Sequence, residues 1–168
     1  MKTYYGITRI SHLFDIVDDV CEALKGANED VESTKALIIS TIAQETHLGT
    51  MKDPTKYKYG TGIAQLDPIG VIDIQQRGTK WFDICKKAFG FDLSKVKHTE
   101  LEEAPVLAIV MARLRYKVVP QGIPNDTEGQ WKYYKKWYNS YAGAATREEY
   151  MKNREWAMEL YNNWKNTK

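Results

Sequence analysis

Residues 33–49 read STKALIISTIAQETHLG. Ala36, Leu37, Ile38, Ile39, Ile42 and Ala43 leave almost no polar face at a spacing of 3.6 residues. The stretch therefore predicts a helix buried on nearly all sides, opened by Ser33 or Thr34, running to about Thr46 and stopped by Gly49. A helix without a solvent face belongs at the centre of a helical assembly, which sets the fold class as mainly α. Glu45 falls in its last turn. Apolar neighbours and the partial negative charge of a helix C-terminus both disfavour an ionised carboxylate there. A carboxyl group kept protonated near neutral pH suits general-acid chemistry. The alternative is a surface glutamate paired with a lysine such as Lys52.

Outward from this helix the chain reads as more helices with short connections. Ser11 is the expected N-cap of a helix to about Leu24, with Leu13, Phe14, Val17, Val20, Cys21 and Leu24 on one face. Thr50 to Leu66, with Pro54, Gly60, Gly62, Tyr57 and Tyr59, reads as an irregular loop or a short β-hairpin. Asp67-Pro68 is a strong helix start. Thr79 to Phe89 reads as a helix ended by Gly90, and Thr99 with Glu102 as a capping box before an apolar helix to about Tyr116. Val119 to Asp126 is a Pro/Gly loop, Thr127 to Tyr138 an aromatic and basic helix, and Asn139 to Ala145 a turn. Thr146 with Glu149 opens the last helix, to about Asn166. Five to seven helices in one domain spanning residues 1–168 are expected, with at most a short β-hairpin.

Composition narrows the function. A net charge of +2 on 168 residues does not mark a nucleic-acid binder. From Trp131 onward there are 8 Lys/Arg against 4 Asp/Glu, a bias that fits either an anionic polymer or a solvated helix face. Eleven Tyr and five Trp serve core edges or stack on flat ligand faces, sugars included. Cys21 and Cys85 have no framework or metal spacing and read as free buried thiols. His12, His47 and His98 are scattered, so no metal and no cofactor are expected; His47 reads as a surface residue or as a neighbour tuning Glu45. Asp15, Asp18 and Asp19 interrupt the apolar run a signal peptide needs. The longest apolar run, Ala104 to Ala112, is too short to span a membrane. Gly60-Thr61-Gly62 lacks the Lys-Ser/Thr of a phosphate loop.

Three segments follow one another in order: AQETHLG at 43–49, GTGIAQLD at 60–67 and YNSYAG at 138–143. Together they resemble the lysozyme-like family that includes lytic transglycosylases and goose-type lysozymes. That family has a Glu-Ser pair ending a helix, a Gly-Leu-Met-Gln segment and an Ala-Tyr-Asn-Ala-Gly segment. The resemblance runs from about Thr34 to Gly143. It implies a muramidase that cleaves peptidoglycan between N-acetylmuramic acid and N-acetylglucosamine, by hydrolysis or lytic transglycosylation. Glu45 then matches the catalytic acid and Thr46 the neighbouring residue that touches substrate. Gly62, Ile63, Ala64 and Gln65 match the second segment, with Gln65 contacting a sugar, and Tyr138 and Asn139 match the pair lining the site. Asp67 resembles the aspartate that follows the second segment in goose-type lysozymes, but Asp-Pro ahead of a helical stretch marks it first as an N-cap, whatever the chemistry.

The chain departs from the family pattern in two places. Ser140 and Tyr141 lengthen the third segment, so either Tyr138 or Tyr141 supplies the hydroxyl, and Ala64 replaces a bulkier Met, widening the pocket. The compact length and the segment MARLRYKVVPQGIP resemble a bacteriophage-encoded branch, an endolysin or tail enzyme. Such a protein is expected to be a monomer, made in the bacterial cytoplasm without a signal peptide, with peptidoglycan as its partner. The competing readings are a non-catalytic wall-binding or virion domain and a peptidase; the latter needs a metal or an activated nucleophile that the sequence does not offer.

Overall fold

The computed structural model describes residues 1–53, 59–139 and 143–168. Among these residues the protein has seven α-helices: α1 (Ile10–Ala23), α2 (Val31–Thr46), α3 (Pro68–Arg77), α4 (Phe82–Phe89), α5 (Pro105–Lys117), α6 (Thr127–Tyr134) and α7 (Arg147–Lys165). Short 3₁₀ turns at Thr79–Trp81, Leu93–Lys95 and His98–Leu101 link the middle helices, and a π-helical turn, Lys135–Asn139, follows α6. The only β-pairing among the described residues is one antiparallel bridge, Thr61 to Leu66. The mainly α fold of five to seven helices is as expected.

α2 is the axis of the molecule. Leu37, Ile38, Ile39 and Ile42 are fully buried, because α7 and α1 cover most of its surface and α5 and α6 close the rest. Each such side chain contributes about 1.5–3 kcal/mol of transfer free energy. Ser40 and Thr41 lie in the same buried stretch, and each hydroxyl donates to the carbonyl four residues back, Ala36 at 2.6 Å and Leu37 at 2.9 Å. α5 is buried nearly all round as well, from Leu107 to Leu114, and α1 packs against both. Cys21 and Cys85 are free and buried, as expected. No helix among the described residues is long and apolar enough to cross a membrane.

Several helix ends differ from expectation. The N-cap of α1 is Arg9, with no side-chain cap bond, so Ser11 does not open the helix. α2 begins two residues before Ser33: Asp30 accepts from the Ser33 amide at 3.1 Å, and the Ser33 hydroxyl only braces that carboxylate at 2.7 Å. α2 stops at His47 (φ 51°), and Leu48 and Gly49 continue the left-handed path, so Gly49 is the third residue of the reversal and not the stop itself. The Thr99–Glu102 box is absent. Glu100 closes a cap on the Lys97 amide at 2.5 Å, and α5 begins at Pro105. Asp67, Gly90 and the Thr146–Glu149 capping box act as expected. The helix expected over Thr127 to Tyr138 is α-helical only to Tyr134.

The buried Glu102 has a more distant task. Its Oε2 accepts the Gly62 amide at 3.1 Å and fixes the reverse turn of residues 60–66. In that turn the Thr61 amide donates to the Leu66 carbonyl and the Gln65 amide to the Gly62 carbonyl, both at 3.0 Å. Gly62 sits at φ 78°, and a Cβ there would lie 2.5 Å from the Leu101 carbonyl oxygen. Gly62→Ala should therefore destabilise the protein by more than about 1 kcal/mol. Urea denaturation should show a lower midpoint at an unchanged slope.

Candidate functional site

Where α2 runs out, a cavity of about 210 Å³ opens, lined by Glu45, Asp53, Tyr59, Gly60, Gln65, Asp67, Tyr138 and Asn139. Five of the six residues singled out from the sequence meet there, brought from the end of α2, the 60–66 turn, the start of α3 and the π turn.

Glu45 forms one wall. The buried core around the end of α2 disfavours its charged form, and this effect is the largest acting on the group. The Tyr134 hydroxyl donates to Glu45 Oε1 at 2.6 Å, which favours the carboxylate, as does the charge of Lys135; the charge of Asp53 opposes it. Burial wins, and the carboxyl is pushed up to about 7. Tyr134 is itself fully buried, and burial and the adjacent Glu45 push its phenol far above its ordinary range, so it remains a donor. Lys52, the partner a surface glutamate would take, is exposed with its ammonium over the Tyr4 ring at 5.8 Å.

The opposite wall comes from the π turn. Widening the last turn after α6 carries Tyr138 and Asn139 to the cavity; single π turns inside helices often occur at functional sites. Lys135 holds the turn, its ammonium donating to Asn139 Oδ1 at 2.8 Å and to the carbonyls of Gly143 (2.8 Å) and Ala145 (3.0 Å). The Tyr138 hydroxyl donates to the Ala64 carbonyl at 2.8 Å, tying this wall to the 60–66 turn. Gln65 adopts φ 47° and donates an amide hydrogen to the Gly62 carbonyl at 2.9 Å while lining the cavity. Backbone strain of this kind in a residue other than glycine is concentrated at functional sites.

Asp67 reaches the cavity and also caps α3, accepting from the Gly70 amide at 2.6 Å. Thr46, matched to a substrate-touching residue, does not face the cavity. It is 1% exposed, and its hydroxyl donates to the Ile63 carbonyl at 2.6 Å, a stitch between α2 and the 60–66 turn. Ala64 is equally buried, so its small side chain does not widen the pocket. His47 stacks on Trp156 with ring centroids 4.1 Å apart and lies outside the cavity lining, neither a free surface residue nor part of the site. Tyr57 and Tyr141 lie outside the described residues.

Four side chains of the site were not anticipated: Tyr134, Lys135, Asp53 and Tyr59. Tyr134 lies one helical turn before Tyr138, and that spacing could have revealed it. Asp53 comes from a connection with no periodicity to read. Among the described residues, no group of three or more His, Cys, Asp or Glu could hold a metal ion. The chain matches no protein-family model, no curated protein and no solved structure.

The Tyr134 bond favours the ionised form of Glu45, so losing it should raise the titration midpoint. Followed by carbon NMR of the side-chain carboxyl, Glu45 should titrate near 7 in the native protein and higher in Tyr134→Phe. A lower midpoint in the variant would mean the phenol does not donate to the carboxylate.

Proposed function

We propose that the protein is a lysozyme-like muramidase that cleaves peptidoglycan between N-acetylmuramic acid and N-acetylglucosamine, with Glu45 as general acid. The observation that carries this reading is the meeting, in one cavity, of a carboxyl group raised to about 7 with Gln65, Asp67, Tyr138 and Asn139. Glycosidic cleavage requires a proton on the departing oxygen, and a carboxylic acid still protonated at neutral pH supplies it. The amides of Gln65 and Asn139 offer donors and acceptors to the hydroxyl and acetamido groups of the sugar. Tyr138, bonded to the Ala64 carbonyl, acts by holding the turn that presents Gln65. The setting this implies is a bacteriophage lysis or tail enzyme, made in the bacterial cytoplasm and acting on the wall as a monomer.

After protonation two routes remain. In hydrolysis a second carboxylate, Asp67 or Asp53, orients a water on the far side of the sugar ring. In transglycosylation Glu45, now ionised, takes the proton of a muramic acid hydroxyl that attacks within the same sugar and gives an anhydro product.

Glu45→Gln keeps the shape of the acid without its proton. Wall clearing should fall by a factor on the order of 10²–10⁴. Native activity should decline as pH rises through about 7, because the acid form is then lost. Retention by Glu45→Gln of more than about a tenth of native clearing would overturn the assignment.

Asp67→Asn separates the two routes, since Asn caps a helix as well as Asp does but cannot take a proton. If Asp67 activates water, the variant should lose activity at unchanged thermal stability. If activity persists, mass spectrometry of the digested wall should show anhydro ends or point to Asp53.

A further inference from the structure

The 60–66 turn is gripped from outside by one short segment. His98 opens the 3₁₀ turn His98–Leu101, and its Nε2 lies 2.7 Å from the Leu66 carbonyl oxygen. A carbonyl only accepts, so Nε2 carries the hydrogen and donates. The other ring nitrogen, Nδ1, faces the buried Thr61 hydroxyl at 3.4 Å. One imidazole therefore spans Thr61 and Leu66, the two residues whose bridge closes the turn. Four residues on, Glu102 holds the Gly62 amide of the same turn.

The segment that carries His98 is itself anchored. Gln75 in α3 donates through Nε2 to the carbonyls of Leu93 at 3.0 Å and Val96 at 2.9 Å. α3 is capped by Asp67, the residue after Leu66. The ties thus close a circuit: from Leu66 through Asp67 and α3 to Gln75, across to the Leu93 and Val96 carbonyls, and back through His98 to Leu66.

The Leu66 carbonyl stands between two residues of the cavity wall, Gln65 before it and Asp67 after it. Gln65 is held at φ 47°, a conformation that persists in a residue other than glycine only where the surroundings over-determine it. Within the turn, its backbone amide and its side chain both donate to the Gly62 carbonyl. On its far side, the Leu66 carbonyl takes two donors, the Thr61 amide and His98 Nε2, so both acceptor positions are used and the peptide plane is fixed.

We propose that His98 is a positioning residue of this site: by gripping the Leu66 carbonyl it orients the peptide between Gln65 and Asp67, and so sets where both side chains meet a bound sugar. His98 does not line the cavity and acts through Leu66 alone. The sugar rests on the muramidase reading; the orientation of Gln65 does not.

Two substitutions separate the ring nitrogens. In His98→Gln the amide N–H extends about as far as Nε2, whereas in His98→Asn it extends only as far as Nδ1. Both leave the Thr61 amide on the Leu66 carbonyl, and thermal melts check that both fold. In the substrate-free protein, the Gln65 side-chain amide signals in a ¹H–¹⁵N spectrum should move in His98→Asn and return towards their native positions in His98→Gln. Wall clearing should fall on the order of tenfold in His98→Asn, since small misplacements of a contact residue cost one to two decades. His98→Gln should recover most of that loss. In a Gln65→Ala, Asp67→Asn background, His98→Asn should cost less than about twofold more, because residues that act through one another are not additive. Unmoved Gln65 signals, His98→Gln no better than His98→Asn, or the full loss persisting in that background would each overturn the proposal. If the native protein clears no wall, the muramidase reading fails and the Gln65 signals alone decide the role of His98.

Discussion

A helix with no solvent face can present a polar side chain only where it ends. α2 imposes that constraint here. Through Leu37, Ile38, Ile39 and Ile42 it has no exit to water, and Glu45 in its last turn is among the first residues that can reach one. The packing that makes α2 the axis of the fold is also what lifts the Glu45 carboxyl to about 7. Core and acid are one structural fact: loosening the core around this end would admit water and return the group toward its ordinary range.

The surroundings of that end follow from the same constraint. The chain must reverse at once to leave the core, and it does so through three consecutive left-handed residues, His47, Leu48 and Gly49. Two bonds then fasten the 60–66 turn on either side of the acid, Thr46 to the Ile63 carbonyl and Tyr138 to the Ala64 carbonyl. Behind them Tyr116, Tyr138, Tyr134 and Tyr150 form a run of rings, neighbouring centroids 5.1–6.1 Å apart. A stack of this kind is rigid with few rotatable bonds, so Tyr134 meets Glu45 without side-chain freedom to be lost. Three of the eleven tyrosines, Tyr116, Tyr134 and Tyr150, thus stand behind the cavity, with Tyr59 and Tyr138 at its surface.

How much of this could be read beforehand depends on the range of each interaction. The period of α2, the Asp67-Pro68 start and the Thr146–Glu149 box are local signals, and the structure follows them. The gathering of Glu45, Gln65, Asp67, Tyr138 and Asn139 was expected only from the resemblance of three short segments to a known family; no local period or spacing implies it. The task of Glu102 was not foreseen. A carboxylate three residues after a threonine looks like a cap, and nothing nearby in sequence reveals that it serves the Gly62 amide forty residues away. Thr46 was misread for a related reason: a hydroxyl beside an acid has the same identity whether it faces a cavity or the Ile63 carbonyl. The π turn was hidden because residues 127–138 carry ordinary helical spacing, and the switch is set by what Lys135 grips at Asn139, Gly143 and Ala145.

The two cysteines lead to a separate point. Burial pushes the Cys21 thiol up to about 12 and the Cys85 thiol up to about 11, and neither is exposed. Only the thiolate attacks oxidants and disulfides, and at neutral pH both groups are almost wholly protonated and shielded. The covalent framework is therefore indifferent to redox potential. The chain needs no crosslink to hold its core and offers no reactive sulfur to acquire one, so the same molecule can pass from a reducing medium to an oxidising one without remodelling.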